Sequence, residues 1–524
     1  MPTSPRPTSI REDNSARPAG SLPSWLVQAA ATKLPQFLMT KRWYPAKDAG
    51  IPTVEPDIVV PFALGDLPAV VAVWRVTPPG QPSFRMFAPL VQIPEDQAEP
   101  AEIIAHLPAQ AGSGDVLVEG FSVDPFVRAW IGNLMRADHE YARGAQLRTG
   151  TTNQLAQTDL VSGDDIPIRR STAEQSNTSI RIGHGSILKV IRKLEEGVHP
   201  ELEVGRFLSD VAGFEATPAL LGWTELEPAE GALPITLSVL QAYVPNEGDG
   251  WSWVLDRLSG EAGGDPREEV LPQVGAWLAH LGQRTAEMHV AFSTLTDDPA
   301  FRSEPVQPED VDGWISGAQA MARRAMAGIE ASSATLPPDA ALLAEKLLAH
   351  QDKLDTHLQR LLADTPAFAK TRHHGDYHLG QVLVADGDAV IVDFEGEPLR
   401  PLAERRAKHA ALRDVAGMLR SIAYAAAAAA RALPQGSADR RTGSGDGIVG
   451  WEAAASDTYL TAYLAAAGGA AGCPADPEEA KRVIRFFMLE KAFYEIAYEL
   501  ANRPDWVAIP LRGALALLDV ETMQ

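Results

Sequence analysis

The chain has 524 residues, 45% hydrophobic and 22% charged, the composition of a globular protein long enough for two or three units with ample core. A formal net charge of −23 excludes a general binder of nucleic acid or anionic membrane, yet leaves room for a phosphate held by a local basic pocket or a metal ion. The single cysteine, Cys473, excludes an internal disulfide framework and a multi-cysteine zinc site, and it fits a reducing cytosol.

Residues 1–23 are polar and proline-rich with no apolar signal core, and they read as a disordered tail. No apolar run is long enough to span a bilayer, so a cytoplasmic protein is expected. SWLVQAAATKLPQFLMTKRWYP reads as an amphipathic helix ending in an aromatic corner at Trp43 and Tyr44. DIVVPFAL, AVVAVWRV and SFRMFAPLVQI follow as strands separated by glycine and proline turns, and PFVRAWIGNLM as a helix. These pieces define a separate N-terminal domain over 24–135. A second β-rich region spans 136–245. Its centre is SNTSIRIGHGSILKVIRKL, a hairpin turning at Gly183-His184-Gly185. In HPELEVGRFLSDVAG, Glu203, Phe207 and Leu208 fall at helical spacing, and ITLSVLQAYV is another strand. Residues 246–524 are mainly helical, apart from a strand pair inside FAKTRHHGDYHLGQVLVADGDAVIVDFEGEP. Gln435 to Gly447 reads as a surface linker.

That strand pair carries the chemistry. Phosphoryl transfer from a nucleotide needs a carboxylate near the attacking hydroxyl, oxygen ligands for magnesium and a cation on the nonreacting phosphates. Asp376 stands in HHGDYHLGQ, Gln381 follows five residues later, and Asp393 leaves the apolar strand AVIV with Glu395 close by. An isolated His-Gly-Asp is more often a turn than a catalytic centre, but the ordered set of four is hard to obtain by accident. His374 and His378 suit loop support better than magnesium, a poor match for imidazole; His374 also lies close enough to Asp376 to touch an acceptor. Upstream, Lys189 sits among apolar residues in SILKVI, costly without a partner, and Glu203 is the expected partner. The bland alternative is a lysine snorkelling from an edge strand. In KAFYEIAYELANRPDW, Lys491 and Glu495 share a helix face with Tyr494 on an adjacent ridge, groups suited to sugar hydroxyls and pyranose faces.

The pattern H-G-D-x-H-x-x-[NQ] followed by D-F-E resembles the aminoglycoside and choline kinase-like phosphotransferases. Gln381 stands where most of that superfamily has asparagine, and maltokinases are similar to this chain there. The likeness to maltokinases extends through KRWYPAKD, EQSNTS, LKVIRKLEEGVHPELEV, QAYVPNEGDGW, DFEGEP and RDVAGMLRS. The resemblance implies an α+β, bilobal protein-kinase-like fold: a β-rich N-lobe, a mainly helical C-lobe and an additional N-terminal α/β cap. It implies Asp376 as catalytic base, and Gln381, Asp393 and Glu395 as magnesium ligands. Lys189, Glu203, Ser176, Asn177, Thr178 and Ser179 would face the ATP phosphates, with Gln241 and Val244 at the adenine hinge. The acceptor would meet His374, Lys491, Tyr494 and Glu495. The implied reaction is ATP-dependent phosphorylation of maltose at its anomeric hydroxyl, feeding α-glucan synthesis, with trehalose synthase as a possible partner. A kinase for another sugar such as glucosamine, and a catalytically silent ATP- or sugar-binding regulator, are the alternatives.

Overall fold

The computed structural model describes residues 24–107, 114–136, 140–142, 145–157, 166–171, 176–228, 231–259, 267–363, 366–398, 400–432 and 448–519. The expected tail over 1–23 and the expected linker over 435–447 lie outside them. The chain forms two compact units, one of residues 1–202 and 220–243, the other of 203–219 and 244–524.

The first unit begins with α1 (Ser24–Thr40), then β1 (Thr53–Pro61), β2 (Ala69–Thr77), β3 (Phe84–Phe87), β4 (Leu90–Pro94), β5 (Ile103–His106) and β6 (Asp115–Glu119), followed by α2 (Asp124–Arg136). The valine-rich β2 is buried on both faces along most of its length, which is why it reads as a continuous apolar run. The second sheet comprises β7 (Glu140–Ala142), β8 (Ala145–Thr151), β9 (Ile168–Arg170), β10 (Thr178–Ile182), β11 (Ser186–Val190), β13 (Leu220–Glu227) and β14 (Ile235–Ala242), in the order β7-β8-β13-β14-β11-β10-β9. Between them β12 (Lys193–Leu194) leaves the hairpin and pairs with β3 of the first sheet. One apolar cluster takes Phe62, Phe87, Phe121, Phe126 and Trp130 together with Ile180, Leu188 and Val190. The first sheet and the second therefore share a core. The expected hairpin is present, with Ile182 opposite Ser186 and Gly183 at φ 61°.

The second unit takes up the chain within α3 (Pro200–Arg206), whose last turn widens into a π-helical stretch over Phe207–Ala212. Its helices are α4 (Gly250–Ser259), α5 (Arg267–Phe292), α6 (Pro308–Ser332), α7 (Pro338–Leu348), α8 (Gln351–Leu361), the single turn α9 (Leu402–Arg405), α10 (Leu412–Ala432), α11 (Ile448–Ala466), α12 (Pro477–Asn502) and α13 (Ala508–Asp519). Two short pairs interrupt them, β15 (Glu304–Pro305) with β16 (Ala369–Lys370) and β17 (Val382–Ala385) with β18 (Asp388–Ile391). The β17–β18 turn is Asp386-Gly387, with φ of 51° and 78°, as a two-residue hairpin with both central residues left-handed requires. The alanine-rich run is the second half of α10, where small side chains let helices approach closely. Among the described residues no helix is long and apolar enough to cross a membrane.

Candidate active site

In the second unit, the segment from His373 to Gln381 is an irregular loop, and Asp414 at the start of α10 organises it. The Asp414 carboxylate is buried and accepts from the backbone N–H groups of His374 at 2.7 Å and Gly375 at 3.0 Å. His289 of α5 approaches the same carboxylate at 3.3 Å, and its other ring nitrogen meets the Tyr463 hydroxyl at 2.9 Å. Burial would raise the Asp414 pKa; the hydrogen bond from His289 and the surrounding histidines outweigh it and hold the group well below the usual carboxylate range. Gly375 has φ 86°, a conformation that costs glycine little. Tyr377 is buried, with its hydroxyl 2.9 Å from Thr285 Oγ1. Its carbonyl packs so closely on α10 that a side chain at Gly417 would come within 2.7 Å of it.

His374 is 2% exposed. Its Nε2 lies 2.9 Å from the Val392 carbonyl and its Nδ1 accepts from the Asp376 N–H at 3.4 Å. Both ring nitrogens are engaged, so the expected contact of His374 with an acceptor gives way to a bracing role. His378 also braces the loop, accepting from the Gly380 N–H at 3.1 Å, while it borders the cavity that Asp376 faces. Burial lowers its pKa against the pull of Asp376, keeping the ring neutral. Asp376, between these two braces, faces open space.

The β17–β18 hairpin explains the twelve-residue gap between Gln381 and Asp393. These two residues flank its open end, and the Val392 N–H donates to the Gln381 carbonyl at 2.9 Å. The Gln381 side-chain amide donates to Asp393 Oδ2 at 2.9 Å. Asp393 has φ 68°, a strained conformation for a residue other than glycine and one that clusters at functional sites. Carboxylate oxygens of Asp393 and Glu395 lie within 4.8 Å of each other. The two carboxylates are hard oxygen donors of the kind magnesium takes, and the Gln381 amide lies beside them. The three expected ligands are thus brought together.

Asp376 opens into a cavity of about 260 Å³ whose far wall is α12. Lys491, Tyr494 and Glu495 line it, as expected, and Trp251, Tyr424 and Trp506 join them. Glu495 Oε2 accepts from Arg420 Nε at 2.9 Å and Nη2 at 2.7 Å. Glu499 accepts from Tyr424 at 3.1 Å and from Arg503 at 2.6 Å and 3.0 Å. Glu495 and Glu499 are each neutralised by an arginine. Lys491 Nζ stands 3.5 Å from Glu397, whose other partner is Arg400. Tyr424 was legible only as a lone aromatic in an alanine run. Arg420 pairs with Glu495, and Arg413 with Glu490 at 3.5 Å.

In the first unit, Lys189 lies on β11, between β10 and β14, so it does not snorkel from an edge. Its Nζ is 3.7 Å from Glu201 Oε2, and Glu201 also accepts from the Gln241 side chain at 2.9 Å. The partner is Glu201, not the expected Glu203. In the second unit Glu203 is clamped by Arg372 at 2.9 Å and by Arg406. Burial opposes its ionisation, but the hydrogen bond from Arg406 and the two arginine charges lower its pKa. Of the expected phosphate loop, Glu174 and Gln175 lie outside the described residues. Ser176 is exposed and Thr178 half-buried. The buried Asn177 accepts from the Arg192 N–H at 3.4 Å. Ser179 is buried within β10 and pairs with Lys189 across the ladder, which puts the two side chains on the same face of the sheet. At the expected hinge, the Val244 carbonyl accepts from Asn246 at 2.9 Å.

Residues 168–404 match the model of the phosphotransferase enzyme family known as APH. The chain is 28% identical over 398 residues to a glucosamine kinase of Streptacidiphilus jiangxiensis, covering 74% of this chain and 83% of that protein. It is 28% identical over 359 residues to a glucosamine kinase of Mycolicibacterium smegmatis, covering 68% and 80%. A solved glucosamine kinase in complex with glucosamine, ADP and inorganic phosphate superposes with a TM-score of 0.64 at 23% identity, covering 95% of this chain and 99% of that one. The kinase-like fold, a β-rich lobe followed by a helical region, is thereby shared. The relatives carry the name glucosamine kinase where the sequence motifs pointed to maltokinase.

Proposed function

We propose that this chain is an ATP-dependent sugar kinase of the phosphotransferase kind its middle segment matches. The observation that carries the reading is Asp376, held on a loop whose backbone is fixed by Asp414 and facing a cavity walled by aromatic rings and arginine-paired carboxylates. In the reaction, the Asp376 carboxylate accepts the proton of a sugar hydroxyl. The hydroxyl oxygen bonds to the γ-phosphorus of ATP, the bond from that phosphorus to the bridging oxygen breaks, and ADP leaves. Gln381, Asp393 and Glu395 would hold magnesium, which neutralises charge on the phosphates. Lys189, fixed by Glu201, would meet the nonreacting phosphates, with Ser176 and Thr178 as further donors and Gln241 and Val244 flanking the adenine.

For the acceptor we favour maltose, phosphorylated at its anomeric hydroxyl to maltose 1-phosphate for α-glucan synthesis. Aromatic rings suit the apolar faces of pyranoses, and carboxylates neutralised by Arg420 and Arg503 suit neutral hydroxyls better than an ammonium group. Glucosamine is the second reading, favoured by the two curated relatives. An ADP-release assay across maltose, glucosamine, glucose, trehalose and an aminoglycoside separates these. Turnover on glucosamine but not maltose would replace the acceptor and keep the chemistry. No turnover on any of them despite measurable ATP binding would sink the kinase reading. Trehalose synthase, as a partner supplying maltose, is testable by co-purification.

A further inference from the structure

The aromatic corner after α1 plays no part in the chemistry above, yet its Trp43 ring lies against a buried arginine. The guanidinium carbon of Arg192 is 4.6 Å from that ring's centroid and 5.5 Å from that of Phe121. Arg192 is 1% exposed. Its Nη1 donates to Glu119 at the end of β6 at 2.8 Å and to the Phe87 carbonyl at 3.1 Å. Its Nε donates to the Thr178 hydroxyl at 2.8 Å, and its backbone N–H meets the Asn177 side-chain oxygen at 3.4 Å. A guanidinium buried this deeply is tolerable only when paired and hydrogen-bonded, and Glu119 provides the pairing. Apart from the Phe87 carbonyl, the guanidinium bonds to Thr178, and the arginine's backbone N–H to Asn177, both in the loop expected on the phosphates. A hydroxyl has one proton to give and two lone pairs. With Arg192 donating to it, the Thr178 oxygen keeps its own proton for an outside acceptor.

We infer that the Arg192 guanidinium positions the nucleotide phosphates through Thr178, with Trp43 and Glu119 holding it and Asn177 fixing the same loop on the arginine's backbone N–H. The inference rests on the reading of residues 176–178 as the phosphate-facing loop. It gives the first sheet a stated role: a rigid backing that presets this loop.

The test measures the Kd of magnesium–ATP by calorimetry on the full chain, with the Kd of whichever of maltose and glucosamine binds, and the thermal midpoint. The variants are Arg192→Met, Arg192→Lys, Trp43→Leu and Asn177→Ala. Arg192→Met is expected to weaken nucleotide binding roughly tenfold, the worth of one charge-assisted hydrogen bond, with sugar affinity within about twofold. Arg192→Lys, which keeps the charge without the fork, is expected to recover only part of that. Should Arg192→Met fail to fold because Glu119 is left unpaired, Trp43→Leu, which leaves the ion pair intact, is expected to weaken nucleotide binding a few-fold by itself. Loss of nucleotide affinity in Asn177→Ala but in neither the Arg192 nor the Trp43 variants would overturn the inference while the loop reading stands. Unchanged affinity in Asn177→Ala, or no magnesium–ATP binding by the parent chain, would overturn both. An Arg192 variant that lowers only the thermal midpoint reduces the residue to a core ion pair.

Discussion

The catalytic loop and the wall formed by α12 are both built around buried carboxylates, and they use them in opposite ways. Asp414 takes its hydrogen bonds from the backbone of the loop, at His374 and Gly375, so it specifies a path for the chain whatever side chains ride on it. Glu495 and Glu499 take theirs from other side chains, Arg420, Tyr424 and Arg503, so they specify a surface. A backbone anchor keeps the reacting group in one place. A wall of paired side chains can be re-dressed for another sugar without moving the chemistry. On the proposed sugar-kinase reading, phosphoryl transfer and acceptor choice would then be separable in this unit, and mutation can test how separable.

The largest effect is expected at Asp376. Asp376→Asn keeps the shape and removes the proton acceptor, so kcat should fall about 10³-fold, within the usual range for a general base, while the thermal midpoint stays put. Asp414→Ala should lower activity as severely but also stability, because two backbone N–H groups lose their acceptor. Steady-state ADP release and thermal unfolding on both variants check this. An Asp376→Asn protein retaining a tenth of the activity would remove the residue from its role.

Next in size is the wall. Glu495→Ala leaves Arg420 buried without its carboxylate, and loss of one partner of a buried pair costs about 3–5 kcal/mol. The double variant Arg420→Met/Glu495→Met should return most of that stability without returning acceptor affinity. Urea unfolding and an acceptor titration together decide it. If the double variant binds sugar normally, Glu495 is structural and the wall's selectivity lies elsewhere.

Acid should act first on the loop side. Burial pushes the His373 imidazole down to about 4, and burial likewise lowers His409 well below the ordinary histidine value. Between about pH 6.5 and 4 the unfolded chain binds a proton that folded His373 refuses. Stability therefore falls as pH falls, by at most about 1.4 kcal/mol per unit per group. Glu203, whose folded pKa is lowered, contributes stability above its ordinary value near 4.5 that is lost as pH drops through the folded one. Loss should thus begin near 6.5 with the histidines and continue at lower pH with Glu203. His373→Gln should flatten the upper part of the curve. Equal urea midpoints for the parent chain at pH 7.5 and 5 would contradict it.

The loop was legible in the sequence and the wall only partly, for a physical reason. Gln381 and Asp393 flank a hairpin closed by Asp386-Gly387, and local turn chemistry fixes that geometry from a dozen consecutive residues. Glu201 and Glu203 sit two residues apart on a short helix, about 200° around its axis. Only the neighbours, Lys189 and Gln241 for one and Arg372 and Arg406 for the other, decide which carboxylate does what. Of the two readings open for His374, bracing and acceptor contact, its ring bonds to the Asp376 N–H two residues on and the Val392 carbonyl eighteen residues on fit the first. The arginines that neutralise Glu495 and Glu499 are seventy-five residues away in one case and four in the other, so local pattern alone does not reveal the first of these pairs.

The smallest expected effect belongs to Tyr498, which is 43% exposed at the rim of the cavity and stacks on Tyr494 with centroids 6.3 Å apart. Its ring is also within 5.6 Å of the Arg503 guanidinium carbon. Removing an exposed ring of this kind should cost stability little, about 0.5–1 kcal/mol for the cation–π contact. For the acceptor the size of the effect depends on how far the sugar extends. A disaccharide reaching the rim would lose its outer platform, and Tyr498→Ala should raise its KM about fivefold, equivalent to roughly 1 kcal/mol. A monosaccharide seated beside Asp376 would be unaffected. Measuring KM for maltose and glucosamine in Tyr498→Ala and Tyr494→Ala therefore reads the depth of the site as well as its preference. A KM raised for maltose by both variants, with kcat unchanged, is the result expected of a two-ring acceptor held by a wall that leaves the chemistry alone.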